Sequence, residues 1–359
     1  MEARLVGVSQ FSERFVRLGS LPSHDEDETN GFNCEFVNET VGWLANGAKL
    51  WRTTDGGSSW KLVYSRGKAN RFEPEYIDHL KFVSAETGWM MVNEKLFRTD
   101  DGGDTWRSLR TPKADFLETF DFLPDGKVGW LAGTVCEPMR QDEGTANRFY
   151  CGPNRTDGDV AAVFITRDGG QTWQRQSVSR RFGDIGYIQM RDATHGFAIG
   201  QAGTFRYRNG RWLDADYTGP ELENPEETPG EYCLQMETGL PTYCPVNFQF
   251  TDKLHGYLSN TNGYFGRTID GGRTWIDIAR CVEEGPRYDP PFFSKFFIDQ
   301  DGQGIALDSE GGLQETLDGG VTWANVAERG TFIDLFALSA EKGWLIANDG
   351  IYQYEGDKR

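Results

Sequence analysis

Histidine is scarce in this sequence, with four among 359 residues, and cysteine is scarce too, with six. No two cysteines stand as C-x-x-C, and His195 and His255 each precede a glycine in what reads as a turn. No zinc site is expected from such placement, and no metal or cofactor is assigned. No apolar run approaches the roughly 18 residues of a membrane-spanning helix, and no sustained 3.6-residue apolar period supports a helical fold. G-x-S-x-G, H-E-x-x-H and the glycine-rich phosphate loop are all missing, which removes the commonest hydrolase, metalloprotease and nucleotide-binding signatures. Basic residues are outnumbered, 37 against 55, and the net charge of −18 without a basic stripe argues against a nucleic-acid partner. The opening MEARLVGVSQ has no basic stretch followed by an apolar one, so no signal peptide is visible in it.

What the chain does have is glycine, 44 residues, and aromatics, 13%, against only 38% hydrophobic residues. That combination predicts an all-β protein of many short strands and tight turns. Its strongest pattern is internal repetition: TTDGGSSW at 53–60, TDDGGDTW at 99–106, TRDGGQTW at 166–173, TIDGGRTW at 268–275 and TLDGGVTW at 316–323. A second marker, glycine followed by a large hydrophobe, recurs at Gly42, Gly88, Gly129, Gly196, Gly256, Gly304 and Gly343. Each unit reads as four short antiparallel strands, the sequence signature of a propeller blade.

The predicted fold is a seven-bladed β-propeller of four-stranded antiparallel blades, one domain over 1–359. Its blades fall at about 32–65, 76–111, 116–179, 182–216, 245–280, 292–328, and 331–357 plus 13–20. Blade four keeps only a shortened box, YRNGRW at 207–212, and blade seven ends before a fourth strand can form. The segment ERFVRLGS at 13–20 is therefore expected to complete the last blade and remove an exposed edge. Ten of the 11 tryptophans occupy the two repeated positions, and packing between blades explains the set. Truncating one to alanine would cost ~3–5 kcal/mol.

FRTDDGGDTW at 97–106 has the look of a calcium loop, yet Asp100 and Asp104 occur in one copy only and no glutamate stands at an EF-hand's twelfth position. A structural turn is the better reading. The boxes resemble the Asp-box (BNR) repeat of sialidases, sortilin-like receptors, some glycoside hydrolases and the photosystem II assembly/stability factors. The pairing of a Gly-Trp strand with R-T-x-D-G-G-x-T-W is most similar to the last group. The resemblance implies that Asp55, Asp101, Asp168, Asp270 and Asp318 accept hydrogen bonds from their own turns, with Trp60, Trp106, Trp173, Trp275 and Trp323 as anchors. It also implies a binding scaffold on assembling membrane complexes rather than an enzyme.

Propeller strand order places the Asp-boxes at one face and the long insertions, 19–33, 66–76, 134–160, 217–246 and 281–292, at the other. Loops of that length with no regular pattern are usually functional or disordered. All six cysteines fall at the elaborated face; Cys136 with Cys151, and Cys233 with Cys244, bracket insertions and are expected to form two local disulfides, with Cys34 and Cys281 open. Disulfides favour a periplasmic, lumenal or secreted location, with the cytoplasm as the alternative.

Arg66, Lys68, Arg71, Arg140, Arg148, Arg155, Arg180 and Arg181 form a candidate partner-binding patch on that face, suited to an acidic protein segment. The competing reading is a carbohydrate-binding or glycoside-hydrolysing propeller. Its carboxylates would come from Asp25, Asp27, Glu75, Asp78, Glu118, Asp184 and Asp334, but a chain with 55 acids supplies such candidates by chance. The N-terminal MEARLVGVSQFSERFVRLG lacks the Arg-Ile-Pro-like segment that a sialidase carries before its first box. The expected molecule is thus a monomeric, non-catalytic protein-binding propeller with no catalytic residues assigned.

Overall fold

The computed structural model describes residues 14–22, 32–65, 76–138, 150–151, 157–178, 185–200, 203–214, 245–260, 265–278 and 293–356. Among them the only regular elements are β-strands, arranged in seven antiparallel sheets. The fold is a seven-bladed β-propeller. Among the described residues no helix is long and apolar enough to cross a membrane.

The described residues divide into two compact units. One, Met1–Ile77 with Asp289–Arg359, holds blades six, seven and one; the other, Asp78–Tyr288, holds blades two to five, save Ile77 at the start of blade two. Blade seven shows how the chain finishes its last sheet. Its strands Asp334–Ser339, Lys342–Ala347 and Gly350–Glu355 are joined by Phe15–Gly19, which pairs antiparallel with the third, Phe15 opposite Tyr354 and Arg17 opposite Tyr352. The N-terminal strand expected over 13–20 is present in this role.

Burial falls from the second strand outward. The second strands Gly42–Asn46, Gly88–Val92 and Gly304–Asp308 are buried at every position, whereas the fourth strands Lys61–Ser65 and Arg107–Ser108 are mostly exposed. A second strand buried at every position loses the apolar-polar alternation of a half-exposed strand. The repeated glycine that opens it has a steric cause. A Cβ at Gly42, Gly88, Gly129 or Gly256 would enter the ring of Phe36, Phe82, Phe122 or Phe250, each at the end of the first strand of the same blade.

Two of those rings, Phe36 and Phe122, in turn receive the tryptophan of the preceding blade. Trp344 stacks on Phe36 at 3.6 Å, and Trp89 on Phe122 at 3.7 Å, both nearly parallel. The indole N–H then reaches the next blade's Asp-box, Trp89 donating to the Gly169 carbonyl at 3.3 Å and Trp344 to that of Gly56 at 2.8 Å. Trp43, Trp89, Trp130 and Trp344 are wholly buried, but Trp60, Trp106, Trp173 and Trp323 are only half-buried. The box tryptophans are not uniform, because Trp275, in blade five, is only 2% exposed.

Candidate functional site

The Asp-box is the most chemically dense stretch of each blade that carries it. In blade two, Thr99 Oγ1 donates to Asp101 Oδ1 at 2.8 Å and accepts the N–H of Gly103 at 2.8 Å. Thr105 donates its backbone N–H to Asp101 Oδ1 and its hydroxyl to Oδ2, at 2.8 and 2.6 Å. The first glycine, Gly102, donates to the Glu86 carbonyl of the turn between the first two strands of the same blade. Gly102 and Gly103 hold φ of 74° and 101°, values that L residues adopt only under strain.

The carboxylates of Asp55, Asp168, Asp270 and Asp318 are bonded in the same way. Hydrogen bonds from Thr105 bring the Asp101 pKa down to about 2, and bonds led by Ser59 lower Asp55. At Asp168, Asp270 and Asp318 burial pulls upward, yet the bonds from the box threonines prevail and the net direction is down. Every box carboxylate is thus committed to its own turn. The additional Asp100 of FRTDDGGDTW is taken by Arg98 at 2.6 Å and approached by Arg107 at 3.4 Å. Arg98 is itself a link between blades, lying over the Trp89 ring and donating to the carbonyls of Gly126 and Gly169.

The sequence reading gave no role to the threonine that opens each box, although it is as regular as the aspartate, because attention to carboxylates conceals a hydroxyl that both donates and accepts. It also missed Asp121, and it counted Asp334 as a cleft candidate without seeing its role between blades. Asp121 accepts the backbone N–H of Met190, in blade four, at 2.7 Å and that of Phe122 at 2.9 Å, with Lys81 of blade two 3.8 Å away. Asp334 in blade seven accepts from Leu335 and lies 3.5 Å from Lys295 of blade six. Burial pushes both carboxyls upward against these neighbours. Gln189 does similar work from blade four, accepting the N–H of Phe250 at 3.0 Å.

Among the carboxylates considered for sugar hydrolysis, Asp334 is therefore occupied between blades, Glu118 accepts from Thr134 at 2.7 Å and Asp78 from the Asn93 N–H at 3.1 Å. Asp25, Asp27, Glu75 and Asp184 lie outside the described residues.

Blade three departs from the others at the end opposite its Asp-box. Its second and third strands, Gly129–Pro138 and Asp157–Thr166, run ten residues each and pair over their full length. The short strand Tyr150–Cys151 pairs with the far part of the third, Cys151 opposite Asp157, while Cys136 stands opposite Asp159 on the other side. The side chains of Cys136 and Cys151, expected to form a bridge, lie outside those the structure describes. Cys233 and Cys244 lie outside the described residues, as do all eight cations of the candidate patch, Arg66, Lys68, Arg71, Arg140, Arg148, Arg155, Arg180 and Arg181. Cys34 is a free, buried thiol whose pKa burial raises.

Comparison with known proteins agrees with the repeat and the fold. The BNR/Asp-box repeat model matches residues 164–175, the box of blade three. No curated protein matches the sequence. Among solved structures the chain is similar to YCF48 bound to a D1 peptide, with a TM-score of 0.59 and 16% identity over 96% of each chain. It is also similar to YCF48 from Cyanidioschyzon merolae, with a TM-score of 0.60 and 15% identity over 96% of this chain and 98% of that one. An ancestral GH74 enzyme matches with a TM-score of 0.57 and 12% identity, over 92% of this chain and 45% of the enzyme. At such identities the likeness is one of fold.

Proposed function

We propose that this chain is a non-catalytic protein-binding scaffold that takes its partner at the blade ends opposite the Asp-boxes. The observation that carries the reading is the asymmetry of the blade ends. At the Asp-box ends the box carboxylates are consumed by their own turns, whereas the opposite end of blade three is built out into a ten-residue hairpin. The likeness to YCF48, a structure of which holds a D1 peptide, supports a polypeptide as the ligand.

The partner is an acidic protein segment met by the arginine-bearing insertions, and the scaffold works outside the cytoplasm. Reversing Arg66, Arg71 and Arg148 to glutamate should abolish capture of native partners in a pull-down, and undiminished capture refutes the patch. Mass mapping of protein purified without reductant tests the compartment: six free thiols would reverse it. A carbohydrate-processing role predicts turnover of aryl glycosides, and measurable hydrolysis that disappears in the Glu118→Gln variant would replace the scaffold reading.

A further inference from the structure

A second surface, at the Asp-box ends of blades four and five, concentrates positive charge on a chain whose net charge is −18. Both blades lie in the same compact unit, and their contacts are explicit. Arg208 of blade four donates to the backbone carbonyl of Lys253 in blade five at 3.4 Å, and its guanidinium fills the space that a Cβ at Gly271 would need. Arg211 stands opposite Arg208 across the turn made by Asn209 and Gly210, with φ of 49° and 89°. Arg273 projects from the blade-five box two residues beyond Gly271. Lys253 completes the group from the turn between the first two strands of blade five, its ammonium 3.4 Å from Asp192.

The carboxylates nearby are already engaged. Asp192 accepts from the N–H and hydroxyl of Thr194 and bonds His195; Asp252 accepts from Leu254 and His255; Asp270 serves its box. Arg211 and Arg273 are exposed and meet no carboxylate among the described residues. Within this group of cations lie two exposed apolar side chains, Leu254 at 49% and Ile269 at 54%. They are held together because Gly271 donates its N–H to the Leu254 carbonyl at 2.8 Å. Such an arrangement matches a ligand that is acidic and carries an apolar side chain.

We propose that the Asp-box ends of blades four and five form a docking surface for an acidic polypeptide segment of a partner protein, with Arg208, Arg211, Lys253 and Arg273 meeting its carboxylates and Leu254 and Ile269 its apolar residue. A nucleic acid fits poorly, since the chain as a whole repels a polyphosphate. Two apolar side chains bounded by cations give little area for insertion into a lipid surface. Exposed charges of this kind set encounter rate and selectivity more than affinity, so binding is salt-sensitive. The surface is independent of the loop-bearing ends and uses none of their residues, so either site can fail without the other.

The test is fluorescence anisotropy of the full chain with a labelled peptide of alternating aspartate and glutamate around one leucine. The intact chain should bind it, with affinity falling as salt rises, and should ignore the lysine counterpart. The R211E/R273E double variant should weaken binding by about tenfold or more, K253E should weaken it in the same direction, and R110E, an exposed reversal in blade two's closing segment, should leave it unchanged. Unchanged thermal melts verify that the variants fold. Equal binding by the intact and R211E/R273E chains overturns the proposal. So does binding to phosphatidylglycerol vesicles without binding to the peptide, or a self-association that R211E/R273E abolishes.

Discussion

Arg14 and Glu315 are 301 residues apart in sequence and 2.8 Å apart in space. Glu315 occupies the position before the box threonine where blades one, two and five carry Arg52, Arg98 and Arg267. There it accepts from Arg14, at the entrance to the N-terminal strand, and from the hydroxyl of Tyr354, in the strand with which that segment pairs. One exchange of charge sign in a repeated position thus ties blade six to both outer strands of blade seven.

Deleting residues 1–20 should expose the edge of Gly350–Glu355, lowering the melting temperature and promoting association. A Glu315→Ala variant should act in the same direction more weakly, by about 1–3 kcal/mol, because two donors lose their acceptor. Thermal melts and mass by light scattering read both effects; a truncated chain that melts like the parent and stays monomeric refutes the role of the strand.

Tryptophans at equivalent positions should not be equally sensitive to phenylalanine. Trp89 and Trp344 place their N–H on a glycine carbonyl of the following box, but blade four has no such box, and the buried indole N–H of Trp130 has no acceptor among the described residues. Trp130 instead meets Tyr207 edge to face. Trp130→Phe should therefore cost about 1 kcal/mol less than Trp89→Phe in urea denaturation, the value of one net hydrogen bond.

Asp121→Ala should destabilise by about 1–3 kcal/mol, since the N–H groups of Met190 and Phe122 lose their acceptor inside the sheet stack. Asp121→Asn keeps an acceptor oxygen and should cost less. Denaturant midpoints for the two variants separate a hydrogen-bonding role from a purely ionic one with Lys81; equal losses would favour the latter.

Acid should unfold the protein through the boxes. The Asp101 pKa lies near 2 in the folded chain, below its ordinary 3.8, and Asp55, Asp168, Asp270 and Asp318 are displaced in the same direction. A depressed carboxyl contributes stability that is complete above the unfolded pKa and is lost as pH falls through the folded one. Melting temperature should therefore drop as pH is lowered from about 4 toward 2, and Asp101→Asn should show a shallower decline over that window. Asp121 and Asp334, raised by burial, contribute with the opposite slope at higher pH.

Cys34 is 4% exposed and its thiol pKa is raised by burial, with Asp334 adding in the same direction. It should resist iodoacetamide in the native protein and react once the chain is unfolded, as read by peptide mass spectrometry. Rapid native labelling would contradict the placement of Asn33–Phe36.

Blade number, the position of each Asp-box and the closing strand were legible in the sequence because each depends on short-range chemistry. A glycine pair needing positive φ, a carboxylate serving donors four residues on, and a glycine forced by a phenylalanine six or seven residues earlier all leave fixed spacings. The contacts between blades leave none. Asp121 meets Met190 across 69 residues and Trp344 meets Gly56 across 288, so only the folded chain shows which buried carboxylate has a partner and which indole lacks one. The same holds for the basic surface of blades four and five. Arg208, Arg211, Lys253 and Arg273 are scattered through an acidic sequence, and only the packing of one blade on the next, which leaves the nearby carboxylates bonded elsewhere, turns them into a single patch.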